Sequence, residues 1–229
     1  MDTSRKRRGV ALIVVAVVAG LAYSAFLVDV WTPSGGTDVT TVVSSLEVSG
    51  PHAGLLRAAD VVSGILVLIL VPFLGRALPP GPWRPVAVWS TVVFAVAGGL
   101  SGVVPLPCAE GSPGCADDAS GSLQAAVHDG LTIVSTLAIL ACMVAVALGV
   151  RGTGPRWLAW AGWLSFGFAA VTGIVTALSD LADRDTSVGV AQRLQILGVT
   201  VWIVLLGVYL AVEGARAASV EPTVARRLR

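Results

Sequence analysis

Six stretches of this chain each offer about twenty nearly uncharged, apolar residues in a row, and no other feature limits its fold so strongly. A bilayer core about 30 Å thick takes roughly 20 helical residues to cross. Backbone polar groups inside hydrocarbon must be paired within the chain, which dictates helices. Spans are predicted over Gly9 to about Asp29, about Leu55 to Gly75, Val86 to Pro105, about Asp129 to Val150, Trp157 to Ser179, and Leu194 to Val212. The expected fold is an all-α, six-transmembrane-helix bundle over residues 9–213, between basic tails 1–8 and 214–229. Charged residues make up 13% of the chain, against about 25% in a soluble domain. An ordinary water-soluble enzyme is thereby excluded.

The N-terminus has the basic start of a signal peptide and a small-residue site at Ala22-Tyr23-Ser24. Its apolar run continues through Val28, longer than a signal-peptide core, so it reads as a retained first span. Basic residues set the orientation. Arg5, Lys6, Arg7, Arg8, Arg76, Arg84, Arg151, Arg156, Arg216, Arg226, Arg227 and Arg229 flank one side, and only Arg57, Arg184 and Arg193 flank the other. Both termini are therefore expected on the cytoplasmic side of a bacterial cell membrane, in a multi-pass arrangement. Trp83 and Trp157 at the inner boundary and Trp31 at the outer one fit an aromatic belt.

Composition excludes several chemistries. The chain has no Asn, and its one Lys is Lys6, outside every span. A phosphate-loop or Schiff-base lysine within the membrane domain is ruled out. Two His and three Cys cannot build a His-rich or four-Cys metal centre. No cofactor is expected, and the short basic tails, explained by membrane orientation, make no case for nucleic acid.

Charges recur at one depth near the outer leaflet. Asp29 ends the first span, Arg57 and Asp60 open the second, and His128 and Asp129 cap the fourth. Asp180 closes the fifth, and Arg193 opens the sixth. Arg57 and Asp60 are three residues apart and can share a helix face. One reading is independent helix-end charges reaching lipid headgroups. The other is a converging network in which Arg57 and Arg193 hold an anionic group while Asp29, Asp60, His128, Asp129 and Asp180 pair or carry protons. In the first outer loop Val39, Val42, Val43 and Leu46 recur at helical spacing. They suit either a short interfacial helix or a flexible loop.

Cys108 and Cys115 flank Pro113-Gly114 in an outer loop, where an oxidising compartment and a turn favour a disulfide. Gly99-Leu100-Ser101-Gly102 matches the nucleophile motif of rhomboid proteases. A Ser101–His128 dyad, or His128 with Asp129, would serve a membrane-embedded hydrolase. Chance matches in a Gly/Ser/Ala-rich helix are frequent, and the rhomboid Asn is missing. A metal at His128, Asp129, Asp60 and Asp180 is conceivable from residue types, but no metal is expected. Small residues four apart, such as Ala95 and Gly99 or Gly98 and Gly102, suit close helix packing.

Gly102-Val103-Val104-Pro105, His128, and Gly189-Val190-Ala191-Gln192-Arg193-Leu194 followed by Trp202 resemble the bacterial membrane family termed domain of unknown function 998. The resemblance implies a six-helix membrane protein with no established reaction, and it draws interest to His128 and Arg193. The leading expectation is binding or translocation of a small or lipid-like, anionic ligand through an outward polar pocket. The alternatives are an embedded hydrolase-type enzyme and a structural or sensory partner protein without a small ligand.

Overall fold

All regular structure among the described residues is α-helical; the computed structural model describes residues 3–31, 39–109, 115, 122–152, 154–181 and 185–227. The elements are α1 (Thr3–Tyr23), α2 (Leu27–Trp31), α3 (Val43–Ser49), α4 (Ala53–Ala77), α5 (Trp83–Val103), α6 (Leu123–Gly149), α7 (Arg156–Leu181) and α8 (Asp185–Arg227).

Five segments are long and apolar enough to cross a membrane: Ala53–Ala77, Trp83–Val103, Leu123–Gly149, Arg156–Ser179 and Val188–Glu213. The first predicted span is not one straight helix. After Tyr23 the amides of Ala25, Leu27, Val28 and Asp29 bond carbonyls three residues back rather than four. This tightened turn carries the chain into α2. Within α1 only Gly9–Tyr23 is free of charge, about 22 Å of helix. Large apolar side chains point outward along the long helices, among them Leu137, Trp160 and Leu164, the last 70% exposed. A water-soluble domain rarely leaves so much contiguous apolar surface bare, so this is a membrane-embedded helical protein.

Two helix starts and one helix end differ from expectation. The fourth long helix begins at Leu123, where Ser122 accepts a hydrogen bond from the Ala125 amide and acts as N-cap. His128 and Asp129 therefore lie in its second turn and do not cap it. The last helix begins at Asp185, which puts Arg193 two turns inside instead of at the opening. It also continues to Arg227, beyond the end read from hydropathy.

The helices form a closed ring in the order α1, α4, α5, α6, α7, α8, and back to α1, with α4 and α8 also touching across it. The ring closes at backbone distance. A Cβ at Gly64 would lie 2.5 Å from the Ala95 carbonyl oxygen, and one at Gly102 would lie 2.6 Å from that of Arg57. These small-residue contacts join α4 to α5, as their spacing suggested. Polar bonds add local ties. Ser63 Oγ donates to the Ala19 carbonyl, and the Tyr209 hydroxyl donates to the Ala77 carbonyl. Trp202, fully buried, fills the middle of the core beside Cys142 and Met143. Trp83 and Trp157 are exposed at helix starts, as belt residues would be; the Trp31 side chain lies outside the described residues. The loop disulfide joins Cys108 and Cys115, whose Cα atoms are 5.5 Å apart.

A backbone-on-backbone contact cannot yield as a flexible side chain does. Gly64→Ala should lower stability by about 1–3 kcal/mol through overpacking. Gly167→Ala, where an added Cβ meets nothing within 4 Å, should instead gain about 0.5–1 kcal/mol from helix propensity. Thermal melts of the two variants in one detergent check the contrast.

Candidate functional site

At the end of the ring that carries α3, the helices diverge around a cavity of about 100 Å³, room for several waters or a small polar molecule. α3 forms one wall through Val43, Ser44 and Glu47. α1 and the turn after it supply Tyr23, Ala25 and Phe26, while α4 supplies Leu56 and Asp60. α5 contributes Gly98 and Ser101, and α6 contributes His128, Thr132, Ser135 and Thr136. α8 completes the lining with Gln192, Gln195 and Ile196.

α3 owes its position to α8. Arg193 Nη1 donates to the carbonyls of Val39 and Thr41, each at 2.6 Å, and to Gly189 of its own helix at 3.1 Å. Its guanidinium also sits 5.8 Å from the centre of the Phe26 ring, a cation–π arrangement. Gly189 has no side chain to keep this strand of loop away, and a Cβ there would collide with the Thr40 carbonyl. The Gln192 side-chain oxygen then accepts the Val43 amide at 2.7 Å, at the start of α3. Val43 and Leu46 are buried. The helical spacing in this loop thus marks a short helix facing the protein rather than lipid.

The seven charges expected at one depth do not all meet. Asp60 and His128 line the cavity; Asp29, Arg57, Asp129 and Arg193 do not. Asp29 is buried to one side, 3.9 Å from His52. Asp129 is exposed on the far face of α6. Asp180 lies outside the described side chains. Arg57 and Asp60 make no ion pair with each other. Arg193 turns Nη1 to three backbone carbonyls, and neither it nor Arg57 is on the cavity lining, so the two guanidiniums assigned to an anion do not converge there. Among the described residues no group of three or more His, Cys, Asp or Glu is placed to hold a metal ion.

Glu47, not singled out from the sequence, supplies the missing charge. It is 7% exposed, and its Oε2 is buried with no hydrogen-bond partner. Its carboxyl and that of Asp60 line the same cavity. Burial first, then the neighbouring Asp60 carboxyl, push its pKa up to about 9, with Arg57 opposing. A sequence signal existed: Glu47 is four residues after Val43 and one after Leu46, on the buried face of α3.

The two hydrolase candidates share the cavity but not a bond. Ser101 Oγ donates to the Gly98 carbonyl at 2.6 Å. His128 Nδ1 lies 2.8 Å from the Val104 carbonyl oxygen, which can only accept, so Nδ1 donates there and not to Ser101.

Two outcomes follow. A carboxyl whose folded pKa is raised stabilises the fold in its neutral form. That contribution is complete below about 4.5 and is lost as pH rises toward about 9. Melting temperature should fall across that window in the wild type and fall less in Glu47→Gln. Arg193→Met should cost about 2–4 kcal/mol by stranding carbonyls that a charged donor now satisfies. Hydrogen exchange should rise selectively over residues 39–50.

Searches of curated proteins and of solved structures return no match to the chain. The family model described as protein of unknown function DUF998 matches residues 14–209. With that match running through nearly all of the helical bundle, the chain belongs to the DUF998 family of membrane proteins of unknown function.

Proposed function

We propose that this protein binds a small polar ligand in the cavity beneath α3. We further propose that it is a six-span protein of the bacterial cell membrane with both termini cytoplasmic and the α3 end outward. The skewed distribution of basic residues supports the orientation. α1 together with α2 would form the first span, and the unbroken ring of six helices supports that count.

The observation that carries the binding reading is a partly enclosed cavity at membrane-helix ends, lined by both polar and apolar groups and held by an ordered loop helix. Polar groups away from bulk water are costly unless they are satisfied. Here carboxyls, hydroxyls, amides and an imidazole from several helices line one space; Ser101, Ser135, His128 and Gln192 are each bonded to backbone, while the buried Glu47 Oε2 keeps no partner. At about 100 Å³ the space suits a headgroup-sized molecule and not an acyl chain. Among the described residues neither arginine is on the lining and two carboxyls are, which favours a neutral or cationic ligand over an anionic one. The hydrolase reading has weaker support, because Ser101 is bonded to its own helix and not to His128.

A thermal-shift screen of purified protein against small amines, carboxylates, phosphates and polyols tests the proposal. The Thr136→Phe variant, which fills the cavity, serves as control. A ligand at a hundred times its Kd adds about 2.7 kcal/mol of stability. The expected result is a melting-temperature rise in the wild type that the filled variant lacks. Equal responses in both proteins across the panel would remove the cavity as a binding site.

A further inference from the structure

We propose that the cavity takes a small organic ammonium ion in exchange for a proton held between Glu47 and Asp60. This rests on the binding reading above and names its ligand class.

The charge inventory is one-sided. Among the described residues the lining carries two carboxyls and no Arg or Lys. Glu47 is more than nine-tenths buried, lines the cavity, and keeps Oε2 without a partner. A buried carboxyl oxygen wants a donor, and an ammonium brings up to three. Ser44 and Gln195, also on the lining, can accept the remaining N–H groups. Tyr23 and Phe26 give an apolar, aromatic wall for the carbon end. Among the described residues no three metal-ligating side chains converge. An ammonium needs only hydrogen-bond acceptors, so this chemistry suits it better than it suits a divalent ion.

The proton follows from like-charge repulsion. Two carboxyls lining one cavity, one of them more than nine-tenths buried, do not both ionise where no cation lies between them, and Glu47 and Asp60 line this one. The empty pair therefore holds one proton and one negative charge. When R–NH3+ enters, that proton leaves to solvent and both carboxylates accept N–H. One positive charge enters and one leaves, so the buried charge is unchanged. The titratable or charged groups around Glu47 are Arg57 and Asp60 on α4, Tyr23 on α1 and His128 on α6. α8 presents Gln192 and Gln195, with Arg193 engaged by carbonyls. Burial raises the proton affinity of Glu47, which keeps the site loaded with a proton at neutral pH.

Calorimetric titration of the full-length protein in detergent with ethylammonium chloride, in phosphate and in MOPS buffer, tests this. Comparing buffers of different ionisation enthalpy counts protons. The expected result is about one proton released per ammonium bound, with affinity rising up to tenfold per pH unit from about pH 6.5 to 8.5. Glu47→Gln should abolish the release and weaken binding at least tenfold; Asp60→Asn provides the same test if the first variant fails to fold. Ammonium binding without proton release would overturn the exchange. Sodium chloride releasing the proton as effectively would overturn the organic-ammonium assignment. No ammonium binding, with glycerol stabilising the wild type but not Thr136→Phe, would overturn the inference and leave the cavity reading standing. No response to any solute would overturn both.

Discussion

Close approach of helix backbones is the contact on which everything else here rests. In apolar surroundings, hiding one Leu behind another gains little, so helices associate through tight van der Waals contact and a few polar bonds. Gly64 against Ala95, Gly102 against Arg57 and Gly207 against Ala16 bring main chains together where any added carbon would collide. The same contacts set how closely the six helices of the ring can close. Below them the core is filled by Trp202, Met143, Leu70 and Leu74. Above them, where side chains turn polar, the helices leave space.

That space becomes a site through α3. An isolated helix of seven residues does not hold itself together in water. Arg193 and Gln192 fasten it to α8, and Gly189 lets the preceding backbone lie directly on that helix. The arginine is thus a strut that positions Glu47. Its charge, which looked free to bind an anion, is absorbed by carbonyl dipoles, and the cavity it helps to build carries carboxyls instead.

Much of the architecture was legible because hydrocarbon imposes few choices. Long apolar runs, small residues four apart and the Cys108–Cys115 loop each answer to a local rule; five of the six runs form helices long enough to cross a membrane, the Gly98–Gly102 pair faces close neighbours, and the disulfide forms. Helix starts were less legible. Ser122 capping α6 is a local signal that hydropathy does not see, and it moved His128 and Asp129 into the second turn. One turn of helix places those adjacent residues on different faces. His128 is buried by the cavity and Asp129 is exposed, although their depth is the same.

The sequence by itself determined a helical membrane protein, its family and the level at which its polar groups collect, because those follow from composition, hydrophobic length and motif order. Which polar groups meet was decided only by the tertiary structure. Rotation about each helix axis, and the path of the loop over α8, are set by contacts between residues as distant in the chain as Thr41 and Arg193. No local pattern encodes those two degrees of freedom, and they are what put Glu47 beside Asp60.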